Sequence, residues 1–263
     1  MSKPQKSEPQ QRILALDTST TSLTVAVMEQ GKVLHEISEW GERNHSIRIL
    51  SIVEEVLKIS GTLSSEVQGI AVGVGPGSYT GTRIAVTAAK TLAWALNIPI
   101  VGISSLHSLA FGGYFHVMDA QNVNEGIEQV DWIIPLMDAR RGQVYTALFS
   151  SSTEAPIRLE QDAIRLMEQW IDELVNRLEA TSEQAKPKHI WFVGDVSLHK
   201  EVAERLRVHV GDGLHIISYD LEARFVGFLG EERLTRGELD DMHSLIPNYT
   251  QITEAEANLL RKP

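Results

Sequence analysis

The chain contains no cysteine, and that absence excludes a disulfide framework, a thiol nucleophile and any thiolate-ligated metal. No apolar run approaches the roughly eighteen residues that a membrane-spanning helix needs. The start, Met1 to Gln11, is polar and proline-bearing and lacks the apolar core of a signal peptide. Nine histidines are present, yet none stands in an H-x-x-x-H or H-x-x-H pair that would set two imidazoles on one helix face. Positive charge is scarce as well: 24 Lys and Arg against 35 Asp and Glu leave a formal net charge of -11. Affinity for nucleic acid comes largely from basic side chains displacing counterions, so any RNA is expected to be held through a partner. These shortages predict a cytoplasmic protein with a frayed tail over residues 1–11, no metal, no cofactor and no membrane attachment.

What is present is an ordinary globular composition, 43% hydrophobic and 22% charged over 263 residues, with room for two modest domains or one large one. The most informative stretch runs from Val72 to Leu96, V-G-V-G-P-G-S-Y-T-G-T-R-I-A-V-T-A-A-K-T-L-A-W-A-L. An apolar strand ends in a glycine-rich turn, and the turn opens a helix. Pro76 suits the first corner of a type II turn, Gly77 its positive-φ second corner, and Ser78 or Thr80 can cap the helix. Three readings stay open: a phosphate cradle, a tight turn without a ligand, and a turn that presents the helix to a partner. The cradle lacks the Lys a P-loop places after its last Gly, because Gly81 is followed by Thr82 and Arg83, and Ser78 stands where a dinucleotide fingerprint has its third Gly. Ala85, Ala89 and Ala93 recur every fourth residue and give the helix a stripe of little bulk that another backbone could approach closely.

Read in order, Ile13–Leu16, Leu23–Met28 and Val33–Ile37 are strands by buried run or alternation. Ser46–Ile59 is a helix whose Ile47, Ile49, Leu50, Ile52, Val53, Val56 and Leu57 occupy more than one stripe, so one face is expected on a sheet and another on a second helix or a second protein. Val67–Val74 and Pro99–Ile103 are strands around the helix after the glycine turn. The succession of three strands, helix, strand, helix, strand is that of the ribonuclease-H-like unit of actin-like ATPases. A second, smaller copy is expected from Asp131–Met137, the turn Asp138–Gly142, Gln143–Phe149, a helix over Asp162–Ala180, the strand His189–Gly194, a helix over Leu198–Leu206 and the strand Leu214–Ile217. Gly112–Gln129 reads as a surface loop, Leu221–Leu234 as a helix, and the end as an extended arm. Expected domains are 12–103, 104–220 and a C-terminal 221–263 whose helix packs back on the first.

In such a fold two polar hairpins clamp nucleotide phosphates, with an Asp holding magnesium. The first hairpin offers Asp17, Ser19 and Thr20 but no Gly from Asp17 to Ser22; the second offers Asp138 and Arg140, with arginines where close approach wants glycine. Both read as degenerate phosphate loops. His107 reads as a satisfied core or surface residue.

The runs G-P-G-S-Y-T-G-T-R-I-A (Gly75–Ala85), A-K-T-L-A (Ala89–Ala93), S-S-L (Ser104–Leu106), D-A-R-R-G-Q-V-Y (Asp138–Tyr145), P-N-Y (Pro247–Tyr249) and E-A-E (Glu254–Glu256) fall in the order in which the TsaB family carries them. The chain resembles that family from Ile13 to Glu256. The resemblance implies a two-lobed, actin-like, degenerate relative of TsaD, the subunit that transfers threonylcarbamoyl to adenosine beside the anticodon of tRNAs reading codons that begin with A. It also implies pairing with a TsaD-like subunit through first-domain helices, a homodimer by related surfaces, and work with a TsaE-like ATPase. Here Ser104-Ser105-Leu106-His107-Ser108 stands where TsaD carries a metal-binding histidine pair. The chain departs from the family in Thr250-Gln251, where a basic residue is expected, in Tyr79 for Phe, and in the length of 112–129. The expected partner face is Ile49, Ile52, Val53, Val56, Arg83, Ala85, Val86, Ala89 and Ala93, with no catalytic residue. The rival expectation is an autonomous actin-like enzyme, either an ATP phosphotransferase using Asp17 or a peptidase.

Overall fold

A computed structural model describes residues 11–41, 45–120, 130–153 and 155–250. The expected tail before Gln11, the last part of the 112–129 loop and the Glu254–Glu256 end of the arm lie outside these residues. The first sheet contains β1 (Arg12–Asp17), β2 (Ser22–Glu29), β3 (Lys32–Trp40), β4 (Val67–Gly73) and β5 (Ile100–Ile103), in the order β3-β2-β1-β4-β5. β1, β2 and β3 pair antiparallel, while β1, β4 and β5 run parallel. The second sheet repeats the plan with β6 (Trp132–Asp138), β7 (Gln143–Ser150), β8 (Ile157–Leu166), β9 (Ile190–Gly194) and β10 (Leu214–Ser218), in the order β10-β9-β6-β7-β8.

Helices fill the space around both sheets. α1 (His45–Ile59) and α2 (Tyr79–Leu96) cover the outer face of the first sheet, where Leu14, Leu16, Val25, Val27, Ile70 and Val72 form one core. α4 (Met167–Ala180), α5 (Lys200–Ala203) and α6 (Arg207–Val210) belong to the outer face of the second. α3 (Ser105–Ala120) and α7 (Ala223–Thr235) lie between the sheets in a third core that joins Ile13, Ala26 and Val101 to Ile133, Phe149 and Trp191. A strand whose two faces are both covered reads as a continuous apolar run, which is how β1 and β4 were recognisable.

Local chemistry explains the helix ends. Ser78 Oγ accepts the Gly81 N–H at 3.2 Å and caps α2, and left-handed Asn97 closes it by donating to Ala93 and Trp94. The turn before the cap is not type II: Gly75 has φ +91° and Gly77 +157°, where a type II turn wants about +80° at its third position.

Three further expectations are corrected. Ile157–Leu166 is a strand, so the helix expected from Asp162 begins at Met167. β8 is an edge strand laced by Arg158–Asp162 and Arg177–Glu160 ion pairs, and its charges disguised the alternation while Ile164 happened to extend the helical spacing of Met167, Ile171 and Leu174. α3 runs through the Gly112-Gly113 pair to Ala120, where the glycines were read as a break. They serve close packing instead: a Cβ on Gly113 would lie 2.7 Å from Val193 Cβ on β9. The helix expected over Leu198–Leu206 is divided into short pieces on either side of Glu204–Leu206.

Candidate functional site

The first polar hairpin is closed by the chain itself. Asp17 Oδ1 accepts the Ser19 N–H at 2.6 Å, and Oδ2 accepts the Ser105 hydroxyl at 2.6 Å. The carboxyl is 1% exposed, and burial pushes its pKa up while the two donors pull it back. Thr18 Oγ1 donates to Gly81 O at 2.5 Å, and Ser78 N donates to Ser19 O at 2.7 Å, so the start of α2 lies directly on the hairpin. That approach requires glycine, since a Cβ on Gly81 would fall 1.9 Å from Thr18 O. Thr20 turns away and shares a hydrogen bond with Ser22. The structure therefore gathers Asp17, Ser19 and the glycine turn into one buried knot whose carboxylate faces protein donors.

The second hairpin is more open. Asp138 Oδ1 lies 3.1 Å from His199 Nε2, and Asp138 N donates to Asp195 Oδ2. Arg140 and Arg141 are exposed and take left-handed φ of +66° and +53°. His107 is largely buried and stacked on Phe149, with its Nε2–H donated to Pro156 O at 2.7 Å; burial lowers its pKa to about 4.

Between β3 and the β10–α7 connection lies a cavity of about 510 Å³ lined by Glu36, Trp40, Ser218, Tyr219, Asp220 and Glu222. Arg224 is the cation beside it, and its guanidinium is paired with Glu36 and Glu222. Burial raises the Glu36 carboxyl above its ordinary value. Three carboxylates against one committed arginine give this cleft the sign of charge that repels a polyphosphate. Among the described residues there is no group of three or more His, Cys, Asp or Glu placed to hold a metal, and no helix long and apolar enough to cross a membrane.

The helices expected to meet a partner need a correction. Ile49, Ile52, Val53, Val56, Ala85, Val86, Ala89 and Ala93 are all buried in the monomer's own core. The alanine stripe lets α2 lie close on the first sheet, which consumes that face. Of the residues expected at a partner face, Arg83 alone is exposed. The outward side of the same helices carries Ile47 (74% exposed), Leu50 (56%) and Trp94 (69%). Ile47 and Leu50 belong to the second stripe that the sequence shows on α1; Trp94 gave no periodic signal.

Two copies of a mixed sheet, each with a hairpin after its first strand and with helices shared between them, define an actin-like α/β protein of two lobes. YeaZ from Pseudomonas aeruginosa has this fold: it superposes with a TM-score of 0.69 at 23% identity, covering 91% of this chain and 99% of that one. A family model described as TsaD, tRNA N6-adenosine threonylcarbamoyltransferase, matches residues 32–155. The tRNA threonylcarbamoyladenosine biosynthesis protein TsaB of Bacillus subtilis is 35% identical over 246 residues, 93% of this chain and 96% of that protein. Its namesake in Haemophilus influenzae is 29% identical, covering 88% and 92%. The chain belongs to the TsaB family.

Proposed function

We propose that this chain takes part in making threonylcarbamoyladenosine in tRNA as a noncatalytic subunit that docks a TsaD-like catalytic partner on the outward face of α1 and α2. The observation that carries the reading is the exposure of Ile47, Leu50 and Trp94 on helices whose inward faces are already filled by their own sheet. Large apolar side chains left in water on helices whose other side is packed mark candidate interaction sites, and tryptophan is enriched among the residues that anchor interfaces. The buried Asp17 and the acidic cleft fit a protein that leaves the chemistry to its partner. A second copy of this chain competes for the same face. A TsaE-like ATPase and the tRNA, of the class reading codons that begin with A, join through the assembled complex.

The test is reconstitution with the TsaD-like subunit, the ATPase and tRNA, comparing the natural chain with the Leu50→Glu, Trp94→Ala double variant. We expect the isolated variant to keep its circular dichroism, to lose on the order of a hundredfold in affinity for the catalytic subunit, and to fail to support modification. Undiminished pairing by the folded variant refutes this face.

A further inference from the structure

The P-N-Y segment, Pro247–Tyr249, plays no part in the docking described above, yet it touches both lobes. After α7 the chain returns across the first sheet: Asp240 bridges to Ile100 and its Oδ2 accepts the Gly102 N–H at 2.7 Å. Lys90 on α2 donates to the carbonyls of His243 and Leu245 at 3.2 and 2.9 Å. At Asn248 the arm is held from two sides. Its backbone N–H donates to Val74 O at 2.7 Å, at the root of the glycine turn. Its Nδ2 donates to Asp162 Oδ2 at 3.2 Å, on β8 of the second sheet. The same carboxylate oxygen accepts the hydroxyl of Ser104 at 2.8 Å, from the joint between β5 and α3, and the other oxygen receives Arg158. The Asp162 carboxylate thus gathers donors from three separate stretches; its bond to Asn248 is the solvent-exposed one of the three.

The next residue carries the contact to α2. Tyr249 packs on Tyr79 with ring centroids 5.4 Å apart, and its hydroxyl accepts from Arg83 Nε at 3.0 Å. The Arg83 guanidinium lies 4.5 Å over the Tyr79 ring. Consecutive residues thus reach the second lobe and the start of the helix offered to a partner.

We propose that the 240–250 arm is a strap that couples the placement of the two lobes to the docking helix, with Asn248 on Asp162 as its latch. When the latch is closed, Tyr249 and Arg83 hold the first turn of α2 in place; when it opens, that turn loses its support although the exposed apolar face is untouched. The latch itself is independent of the docking reading, whereas its effect on a partner rests on that reading.

The experiment uses the full chain as natural protein, as Asn248→Asp, and as the reciprocal double variant Asn248→Asp, Asp162→Asn. Asn248→Asp removes the donor and sets two carboxylates against each other; the double variant restores a donor and an acceptor in reversed order and leaves the new amide oxygen at position 162 to accept from Arg158. Amide hydrogen exchange and affinity for the TsaD-like subunit are read together. The expected result is faster exchange in residues 74–78 and 104–108 of Asn248→Asp, about tenfold weaker partner binding, and recovery of both in the double variant. Unchanged exchange in Asn248→Asp overturns the latch. Faster exchange with unaltered affinity overturns the coupling. If the natural chain itself fails to bind the catalytic subunit, the docking reading falls, and exchange with its reciprocal recovery still judges the latch.

Discussion

Burial acts on two side chains near the β5–α3 joint in opposite directions. His107 is neutral in the folded chain because desolvation holds its pKa down at about 4, against about 6.5 when unfolded. The unfolded chain therefore binds the extra proton first, and stability that is complete above pH 6.5 is lost as the pH falls through the folded value. The full loss is on the order of 3 kcal/mol. Asp17 works the other way: its raised pKa keeps the proton in the folded state while the unfolded carboxyl has released it, so stability falls as pH rises from the ordinary carboxyl range to the raised value. In urea titrations across pH 4 to 7, His107→Gln is expected to lose its deficit against the natural chain as the solution becomes acidic, because the glutamine amide can still donate to Pro156 O. Asp17→Asn is expected to gain on the natural chain as pH rises. Curves parallel to the natural one in either variant contradict the corresponding account.

At the scale of elements, α2 separates what periodicity can tell from what it cannot. Spacing in the sequence identified Ala85, Ala89 and Ala93 as one stripe, but a stripe of small residues fits a neighbouring sheet as well as a neighbouring protein, and here the first sheet claims it. A large charged substitution there is thus a stability mutation. Ala89→Arg would force a guanidinium into the core that Ala89 shares with the first sheet and is expected to cost several kcal/mol, on the order of 4, enough to unfold a marginal domain. Thermal melting decides between the two accounts: a cooperative transition near that of the natural chain would return the stripe to the surface. The same logic explains which elements were legible. β1 and β4 follow from apolar runs closed on both faces and β2 from alternation, while the cap was narrowed by sequence to Ser78 or Thr80, of which Ser78 serves. β8 was hidden because a solvated edge strand carries charges in place of clean alternation. Gly112 and Gly113 looked like a break, since no sequence signal distinguishes a glycine that bends the chain from one that admits Val193. The Ser105–Asp17 bond and the Asn248 latch join residues far apart in the chain, and only the fold brings them together.

On the scale of the whole molecule, each sheet has its own outer core but the two share a single inner one. α7 comes from the end of the chain yet packs on β1, β2, β4 and β5, while α3 packs on β6 and β9 and against α7 itself. The inner face of the first sheet, with Ile13, Ala15, Ala26, Met28, Ala71 and Val101, is thus covered by residues that follow the second sheet in sequence. A fragment ending at Ile103 would leave that face in water. At about 25 cal/mol per Å² of apolar surface, uncovering even 300 Å² or so costs roughly 7 kcal/mol, comparable to the entire stability of a domain. The fragment 11–103 alone is therefore expected to show no cooperative unfolding transition, and to acquire one when the fragment 104–250 is co-expressed with it and supplies α7. A cooperative melt by 11–103 alone would mean that the first lobe closes its own core. The segment from Asp240 to Asn248 bonds to both lobes at their surface, but the layer of α3 and α7 joins them more deeply: the first sheet, whose outer face carries α1 and α2, has its other side completed by α7, the last of the described helices.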